Sequence, residues 1–369
     1  MHFHIILTEK CNSRCKYCFE KSMNEFENGL DKKWEFDLDA PIESVVEIEK
    51  LKSFLEKDEN PTLIFYGGEP LLKIEKIKDI IDNVNARFCL QTNGKLLDKI
   101  PEKYLKKLSK ILVSIDGDEK ITDFNKGEGA YKKVIENIKK IRRKGFNGEI
   151  VARMTIAQDF PDIEKQVKHL IELGIFDSMH WQIDAGFYKN DFNEKEFSKF
   201  VESYNKSVSK LIDYWINEME KGNVIKLYPF LGLYDNLYYE KKSKLMCGAG
   251  YTNYTITTNG NLVACPIMGC IKDFYCGNLD SKIKDLKKIY VGVPCTDCEY
   301  LDNCGGRCLY SNYAKLWPRA GEKLICKTVI HLIEEIKGVL PEIKKLIKEG
   351  KIKESDFEYE KYFGPEIIP

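Results

Sequence analysis

Three thiols, Cys11, Cys15 and Cys18, fall within eight residues directly after the apolar run Phe3–Leu7. A loop leaving a strand can wrap three such thiolates around one face of an iron–sulfur cubane, which ordinarily takes four cysteine ligands. Three ligands leave one iron open to a group that is not protein. A zinc knuckle or chance spacing is the plainer alternative. Zinc would want a fourth ligand close by, and the nearest candidates, His2 and His4, lie inside the predicted strand.

More polar chemistry follows at the ends of later apolar runs. Gly67-Gly68-Glu69-Pro70 comes after Leu63–Tyr66. Its glycines let backbone approach a ligand closely, and its carboxylate offers an acceptor for an ammonium group. An ordinary β-α turn is the competing reading. Gln91-Thr92-Asn93-Gly94 and Ser114-Ile115-Asp116-Gly117 place short polar side chains where ribose hydroxyls could be bound. Arg153 stands inside a fifth apolar run between Ala152 and Met154. An arginine pointing inward must find an anion, because an unpaired buried charge is very costly; a structural salt bridge would serve equally.

The second concentration of thiols begins at Cys247, and nine of the thirteen cysteines fall between there and Cys326. Cys295, Cys298, Cys304 and Cys308 have the spacing C-x-x-C-x-x-x-x-x-C-x-x-x-C. Asn259-Gly260, between Tyr254–Thr257 and Leu262–Ala264, is a hairpin signal that would carry Cys247 and Cys265 to the same end. A double zinc ribbon is the alternative use of such a set. Cys270 and Cys276 are further candidate ligands or packing residues, and Cys89, inside a strand, reads as a small core residue.

The elements that must position these residues alternate. Short β-branched runs (Phe3–Leu7, Leu63–Tyr66, Phe88–Gln91, Ile111–Ile115, Ile150–Ile156, His180–Ile183) are separated by amphipathic helical patterns over Ile42–Glu56, Lys73–Val84, Glu102–Leu108, Tyr131–Lys144 and Asp162–Leu173. This repetition predicts an α/β fold with a parallel sheet. Six repeats are too few for a full (β/α)₈ barrel but suit a partial (β/α)₆ TIM-like barrel, with its site at the C-terminal ends of the strands. The expected organisation is a barrel over 1–190 and a helical, aromatic linker over 191–245. A small cysteine-rich domain with a β-hairpin and helices follows over 246–330, then a helix from about Thr328 to Leu346 and a tail through Pro369. Lys226–Tyr239 reads as an aromatic packing segment, and Trp181 as packing rather than catalytic.

Composition narrows the class further. With 369 residues, 43% hydrophobic and 31% charged, the chain has the make-up of a globular enzyme. Zero net charge gives no reason to expect a nucleic-acid partner. No apolar run reaches membrane-spanning length, and no signal-peptide pattern opens the chain. A cytoplasmic location follows, where thirteen thiols are better read as metal ligands than as disulfides. Oxygen-labile clusters would favour an anaerobic organism, and lysine richness is weakly thermophilic in character.

The Cys11–Cys18 spacing, with Tyr17 just before the third thiol, resembles the radical S-adenosylmethionine (SAM) superfamily, as does the Gly67-Gly68-Glu69-Pro70 tetrapeptide one strand later. That resemblance implies a [4Fe–4S] cluster whose open iron chelates SAM, reductive cleavage to a 5′-deoxyadenosyl radical, and hydrogen abstraction from substrate. It assigns Gly67, Gly68 and Glu69 to the SAM amino group, Arg153 to its carboxylate, Ser114, Asn93 and Asp116 to the ribose face, and Tyr17 to the adenine. The later cysteines resemble the SPASM domain of such enzymes, which implies two auxiliary clusters. Cys247, Cys265 and Cys308 would hold the first, with Cys270 or Cys276 as a possible fourth ligand. Cys295, Cys298, Cys304 and Cys326 would hold the second. Relatives of this kind mostly modify ribosomally made peptides or proteins by crosslinking, oxidation or epimerisation, and draw electrons from a ferredoxin or flavodoxin. The chain starts directly at its first strand, so leader recognition would need a separate protein or the barrel surface. Sulfatase-maturing relatives carry an aspartate after the cysteine matching Cys265, where this chain has Pro266. A non-enzymatic iron–sulfur carrier or scaffold is the competing class. Asp116, Asp184 and Tyr188 are weak candidates for a catalytic acid or base.

Overall fold

A computed structural model describes residues 1–18, 29–361 and Pro369. The first half of the chain runs β1 (His2–Ile6), α1 (Ile48–Leu55), β2 (Thr62–Tyr66), α2 (Ile74–Asn83), β3 (Arg87–Thr92), α3 (Glu102–Leu105), β4 (Leu108–Ser114), α4 (Glu119–Lys126), α5 (Ala130–Arg143) and β5 (Glu149–Ile156). It continues with α6 (Ile163–Glu172), β6 (Ser178–Ile183), α7 (Glu194–Glu220), α8 (Tyr228–Tyr238), β7 (Asn253–Ile256), β8 (Asn261–Val263) and β9 (Tyr275–Asn278). Three helices close the sequence: α9 (Leu301–Cys304), α10 (Leu309–Ala314) and α11 (Arg319–Lys348).

The described residues divide into two compact units, one made of 1–18, Gly29–Arg153 and Gly248–Tyr290, the other of Met154–Cys247 and Val291 onward. In the first unit β1 pairs in parallel with β2 on one side and β7 on the other. β2, β3, β4 and the first residues of β5 continue the parallel ladder. β7, β8 and β9 add an antiparallel meander. Strands such as β2 (TLIFY) and β4 (LSKILVS) are nearly continuous apolar runs because both of their faces are covered. Asp118 caps α4 by accepting from the Ile121 N–H at 3.0 Å, and Gly94, Gly117 and Gly260 take the positive φ that these turns require.

The second unit is organised by two long helices, α7 with 27 residues and α11 with 30. Ser209 Oγ on α7 and His331 Nε2 on α11 lie 3.0 Å apart. β6 sits on this framework through Trp181, whose indole N–H donates to Tyr204 Oη of α7 at 2.8 Å. The last residues of β5 belong here too, and Asp184 N–H donates to Ile156 O at 3.0 Å.

All six β-branched runs are strands. The helices differ from expectation in several places, the one expected over Glu102–Leu108 ending at Leu105 because Leu108 already opens β4. α1 starts at Ile48 rather than Ile42, because residues 43–45 are held extended: Thr8 bridges Glu43, Ser44 N–H donates to Leu7 O, and Val45 N–H to Thr258 O. α4 fills what sequence periodicity leaves blank. The aromatic stretch after Lys226 folds as α8, with Pro229 tolerated in its first turn. α11 begins at Arg319, nine residues before the expected start, and carries Cys326 on its own turns. Residues 362–368 of the tail lie outside the described residues.

Candidate functional site

The loop that leaves β1 is stitched to the end of β2. Leu7 N–H donates to Tyr66 O at 3.0 Å, Gly68 N–H to Thr8 O at 2.8 Å, and Glu69 N–H to Lys10 O at 2.9 Å. A Cβ on Gly67 would run into the Thr8 carbonyl, and one on Gly68 would stand 2.5 Å from the carbonyls of Glu9 and Lys10. The close approach made possible by these glycines is thus to the backbone leading into Cys11.

Glu69 is fully buried. Its Oε1 accepts from Leu71 N–H at 3.0 Å and Thr92 Oγ1 at 2.8 Å, and its Oε2 from Asn93 N–H at 2.8 Å. Such donors hold a carboxylate pKa down, but burial outweighs them here and raises it. The Asn93 amide reaches the other way, donating from Nδ2 to Asn12 Oδ1 at 2.7 Å and Ser13 Oγ at 3.3 Å, with Cys11 Sγ 3.8 Å away. Asn93 therefore joins the buried carboxylate to the cysteine loop.

Tyr17 is tied down by Asp116, which is 1% exposed. Its Oδ2 accepts from Tyr17 Oη at 2.7 Å and from Asn125 Nδ2 at 3.1 Å, with the Lys126 ammonium 3.9 Å away. The same ammonium stands 4.9 Å from the Tyr17 ring centroid. Ser114 closes β4 opposite Arg153 in the β4–β5 register. The Arg153 charge reaches His4 and Tyr66. Burial pushes the Tyr66 phenol up, Arg153 opposes this, and Cys265 and Cys18 add to it. Tyr66 thus brings Cys18, Arg153 and Cys265 within electrostatic reach of one side chain, a link that spacing alone does not reveal.

In the second unit Cys295, Cys298, Cys304 and Cys326 line one cavity together with Arg307. Asn312 Nδ2 donates to Cys295 Sγ at 3.3 Å. Desolvation of its sulfur pushes Cys304 up to about 12, against a hydrogen bond from Gly306 N–H and the Arg307 charge. Burial likewise raises Cys295 and Cys326; desolvated thiols such as these ionise against positive charge, which iron supplies. Among the described residues no group of three His, Cys, Asp or Glu side chains is placed to hold a metal ion; the thiols of a cubane ligate separate irons and stand further apart.

Cys265 lies in the first unit, whereas Cys247 and Cys308 lie in the second. Cys276 is buried, with its thiol donating to Phe274 O at 3.4 Å, and burial pushes it up to about 12. Cys270 is pushed up to about 11, by burial and then by Glu9. Cys89 is fully buried in β3 beside Ser109 Oγ, as expected of a core residue. Asp184 and Tyr188 belong to the second unit, where the Tyr188 carbonyl accepts from the Trp317 indole at 2.8 Å. Sequence spacing gives no sign of Asn312, of Arg307, or of the tie from Asn93 to Asn12.

The cradle fits SAM and a cluster on chemical grounds. Glu69 has no ion-pair partner among the described residues, so its buried charge invites an ammonium group. The adjoining loop presents three thiols, none of them in a disulfide.

Residues 5–171 match the family model described as the radical SAM superfamily. Over 335 residues the chain is 26% identical to a cysteine-type anaerobic sulfatase-maturating enzyme of Clostridium perfringens, covering 81% of this chain and 85% of that one. It is 25% identical over 336 residues to the radical SAM cyclopropyl synthase TigE of Paramaledivibacter caminithermalis, covering 83% and 67%. Among solved structures, native anSMEcpe with bound AdoMet superposes with a TM-score of 0.68 at 19% identity, covering 93% of this chain and 99% of that one. Streptococcus suis SuiB gives 0.55 at 16% identity, covering 85% and 74%. These structural likenesses establish the fold, an α/β partial TIM-like barrel. The matched span holds the whole run from Cys11 to Arg153, and over that span the chain is similar to the radical SAM superfamily.

Proposed function

We propose that this enzyme uses SAM to abstract hydrogen from a peptide or protein, giving a crosslink, an oxidised side chain or an epimerised residue. The family implies a [4Fe–4S] cluster and SAM, which when bound and reduced supply a 5′-deoxyadenosyl radical. The observation that carries the reading is the tie between Glu69 and the cysteine loop through Asn93. Cys11, Cys15 and Cys18 hold the cluster. Glu69 accepts from the SAM ammonium, and Gly67 and Gly68 let the cysteine loop pack close beside it. Arg153 takes the SAM carboxylate, Ser114, Asn93 and Asp116 the ribose face, and Tyr17, fixed by Asp116, the adenine. The protein's own work is to hold one substrate C–H bond near the radical and keep others away.

Two auxiliary clusters complete the assignment. Cys295, Cys298, Cys304 and Cys326 hold one; Cys247, Cys265 and Cys308 hold the other, with Cys270 or Cys276 as the candidate fourth ligand. Asp116, Asp184 and Tyr188 remain the candidate acid or base groups. Curated relatives of this chain include a sulfatase-maturating enzyme and a cyclopropyl synthase, and solved neighbours carry a Cp18Cys peptide or the precursor peptide SuiA; these support a peptide substrate. A ferredoxin or flavodoxin supplies electrons, a separate protein or the barrel surface presents the peptide, and the enzyme works in a reducing, oxygen-poor cytoplasm. None of the described helices is long and apolar enough to cross a membrane.

The test is anaerobic reconstitution with iron and sulfide, then incubation with SAM and dithionite. Iron near twelve per chain, three cubanes' worth, and 5′-deoxyadenosine above a Cys11/Cys15/Cys18→Ala control are the expected results. Absence of the nucleoside above that control sinks the proposal. A second reading, formylglycine formation on a sulfatase peptide, is favoured by the similarity to the maturating enzyme over 81% of the chain. Pro266 at the head of a 3₁₀ turn, where that chemistry would want a carboxylate, weighs against it.

A further inference from the structure

We propose that Arg307 is the counter-charge of the cluster held by Cys295, Cys298, Cys304 and Cys326, donating from its guanidinium to a sulfur and raising that cluster's reduction potential. The inference rests on the reading of this thiol set as a cluster site.

Arg307 lines the same cavity as the four thiols. Its Nε is buried and has no hydrogen-bond partner, and the described residues give it no ion pair. A guanidinium is always charged and carries five N–H donors in a fixed fork. Leaving one of those donors buried and unused costs free energy, so an acceptor belongs beside it. A nearby cation makes the contrast: the Lys315 ammonium donates to Val293 O at 2.9 Å.

The backbone argues the same way. Gly305, Gly306 and Arg307 have φ of 66°, 90° and 55° in succession. Gly305 must lack a side chain, since a Cβ would strike the Lys244 carbonyl, and one on Gly306 would stand 2.6 Å from Val291 Cγ2. Arg307 has no such excuse. An arginine in the left-handed region carries backbone strain that a third glycine would avoid. The strained turn places Arg307 in the cavity that Cys304 also lines.

An iron–sulfur cluster with four thiolates is an anion whose negative charge grows by one unit on reduction. Its potential follows net charge, hydrogen bonds to sulfur and exposure. Asn312 N–H on Cys295 and Gly306 N–H on Cys304 supply neutral hydrogen bonds, and the Glu322 carboxylate reaches Cys295 and Cys326 with the wrong sign. Arg307 adds the full positive charge that favours the reduced form.

The experiment is an EPR-monitored redox titration of the anaerobically reconstituted full chain, with iron counted in every variant. The comparison set is wild type, R307K, R307Q, R307G and the double variant C298A/C304A. The double variant should lose about four irons. R307Q and R307G should each show at least a tenfold smaller reduction constant at one cluster, about 59 mV for one electron, while R307K stays near wild type. Selective loss of that cluster's iron in R307Q and R307G, but not in R307K, would equally support the role of charge. An unshifted potential in iron-replete R307Q or R307G overturns the proposal, as does equal iron loss in all three. If the double variant keeps its full iron, the cluster assignment itself fails and Arg307 loses its role with it.

Discussion

The backbone N–H of Asn93 donates to Oε2 of Glu69 across 2.8 Å. The mouth of β3 is thereby fastened to the carboxylate that ends β2. Because Asn93 also holds Asn12, a ligand gripped by Glu69 would stand in fixed register with the Cys11–Cys18 loop.

Glu69→Gln follows as the sharpest test of that register. The amide NH2 must face either Leu71 N–H or Asn93 N–H, a mismatch costing about 1–3 kcal/mol when buried. SAM affinity should fall at least tenfold by equilibrium dialysis while iron content stays constant. Unchanged affinity would remove Glu69 from the ligand site.

Tyr17→Phe deletes the 2.7 Å bond to Asp116 and leaves a buried carboxylate with Asn125 and the more distant Lys126. A hydrogen bond to a charged group is worth about 1.5–3 kcal/mol, so Tm should drop measurably. KM for SAM should rise with kcat little changed. A fall in kcat alone would point to chemistry rather than positioning.

Gly68→Ala and Gly338→Ala should act in opposite directions. The first puts a methyl 2.5 Å from the Glu9 and Lys10 carbonyls, forcing the cysteine loop to move, with an expected loss of about 1–3 kcal/mol and lower iron incorporation. Gly338 is exposed within α11, and a Cβ there meets nothing within 4 Å. Alanine at that helical site should raise stability by roughly 0.5–1 kcal/mol. Thermal melts of both proteins, with iron assays, decide the matter.

His4 makes stability fall with acid. Burial, partly countered by the Asn253 side chain 2.9 Å away, pulls its pKa down to about 3 from an ordinary 6.5. Between those values the unfolded chain binds a proton that the folded chain refuses. The stability due to the neutral folded imidazole is therefore complete above about pH 6.5 and drains away as pH falls toward 3, by up to about 1.4 kcal/mol per pH unit. Chemical denaturation at pH 7.5 and 5.5 should show a smaller difference in His4→Gln than in wild type; equal slopes would clear His4.

Much of this was legible in advance, for identifiable reasons. The six strands announce themselves because buried parallel strands are short β-branched runs. Glu69 and the clustered thiols announce themselves by spacing. Ile42, Val45 and Val46 mislead because their periodicity is helical, while pairing with Leu7, Thr8 and Thr258 holds the segment extended. The early start of α11 was signalled by Pro318 before Arg319. Asn93 to Asn12 spans 81 positions in sequence, and a left-handed Arg307 has no compositional mark. Such relationships arise only once the chain is folded.

β1 takes its second neighbour, β7, from some 250 residues further along, His2 standing opposite Asn253. On the ribosome, the strand that leads into the Cys11–Cys18 loop must wait with one edge unpaired until most of the polypeptide has emerged. A fragment ending near residue 190 would keep that edge bare and be prone to self-association. Metal delivery is thus naturally a late event, after synthesis has supplied the distant strand that completes the sheet.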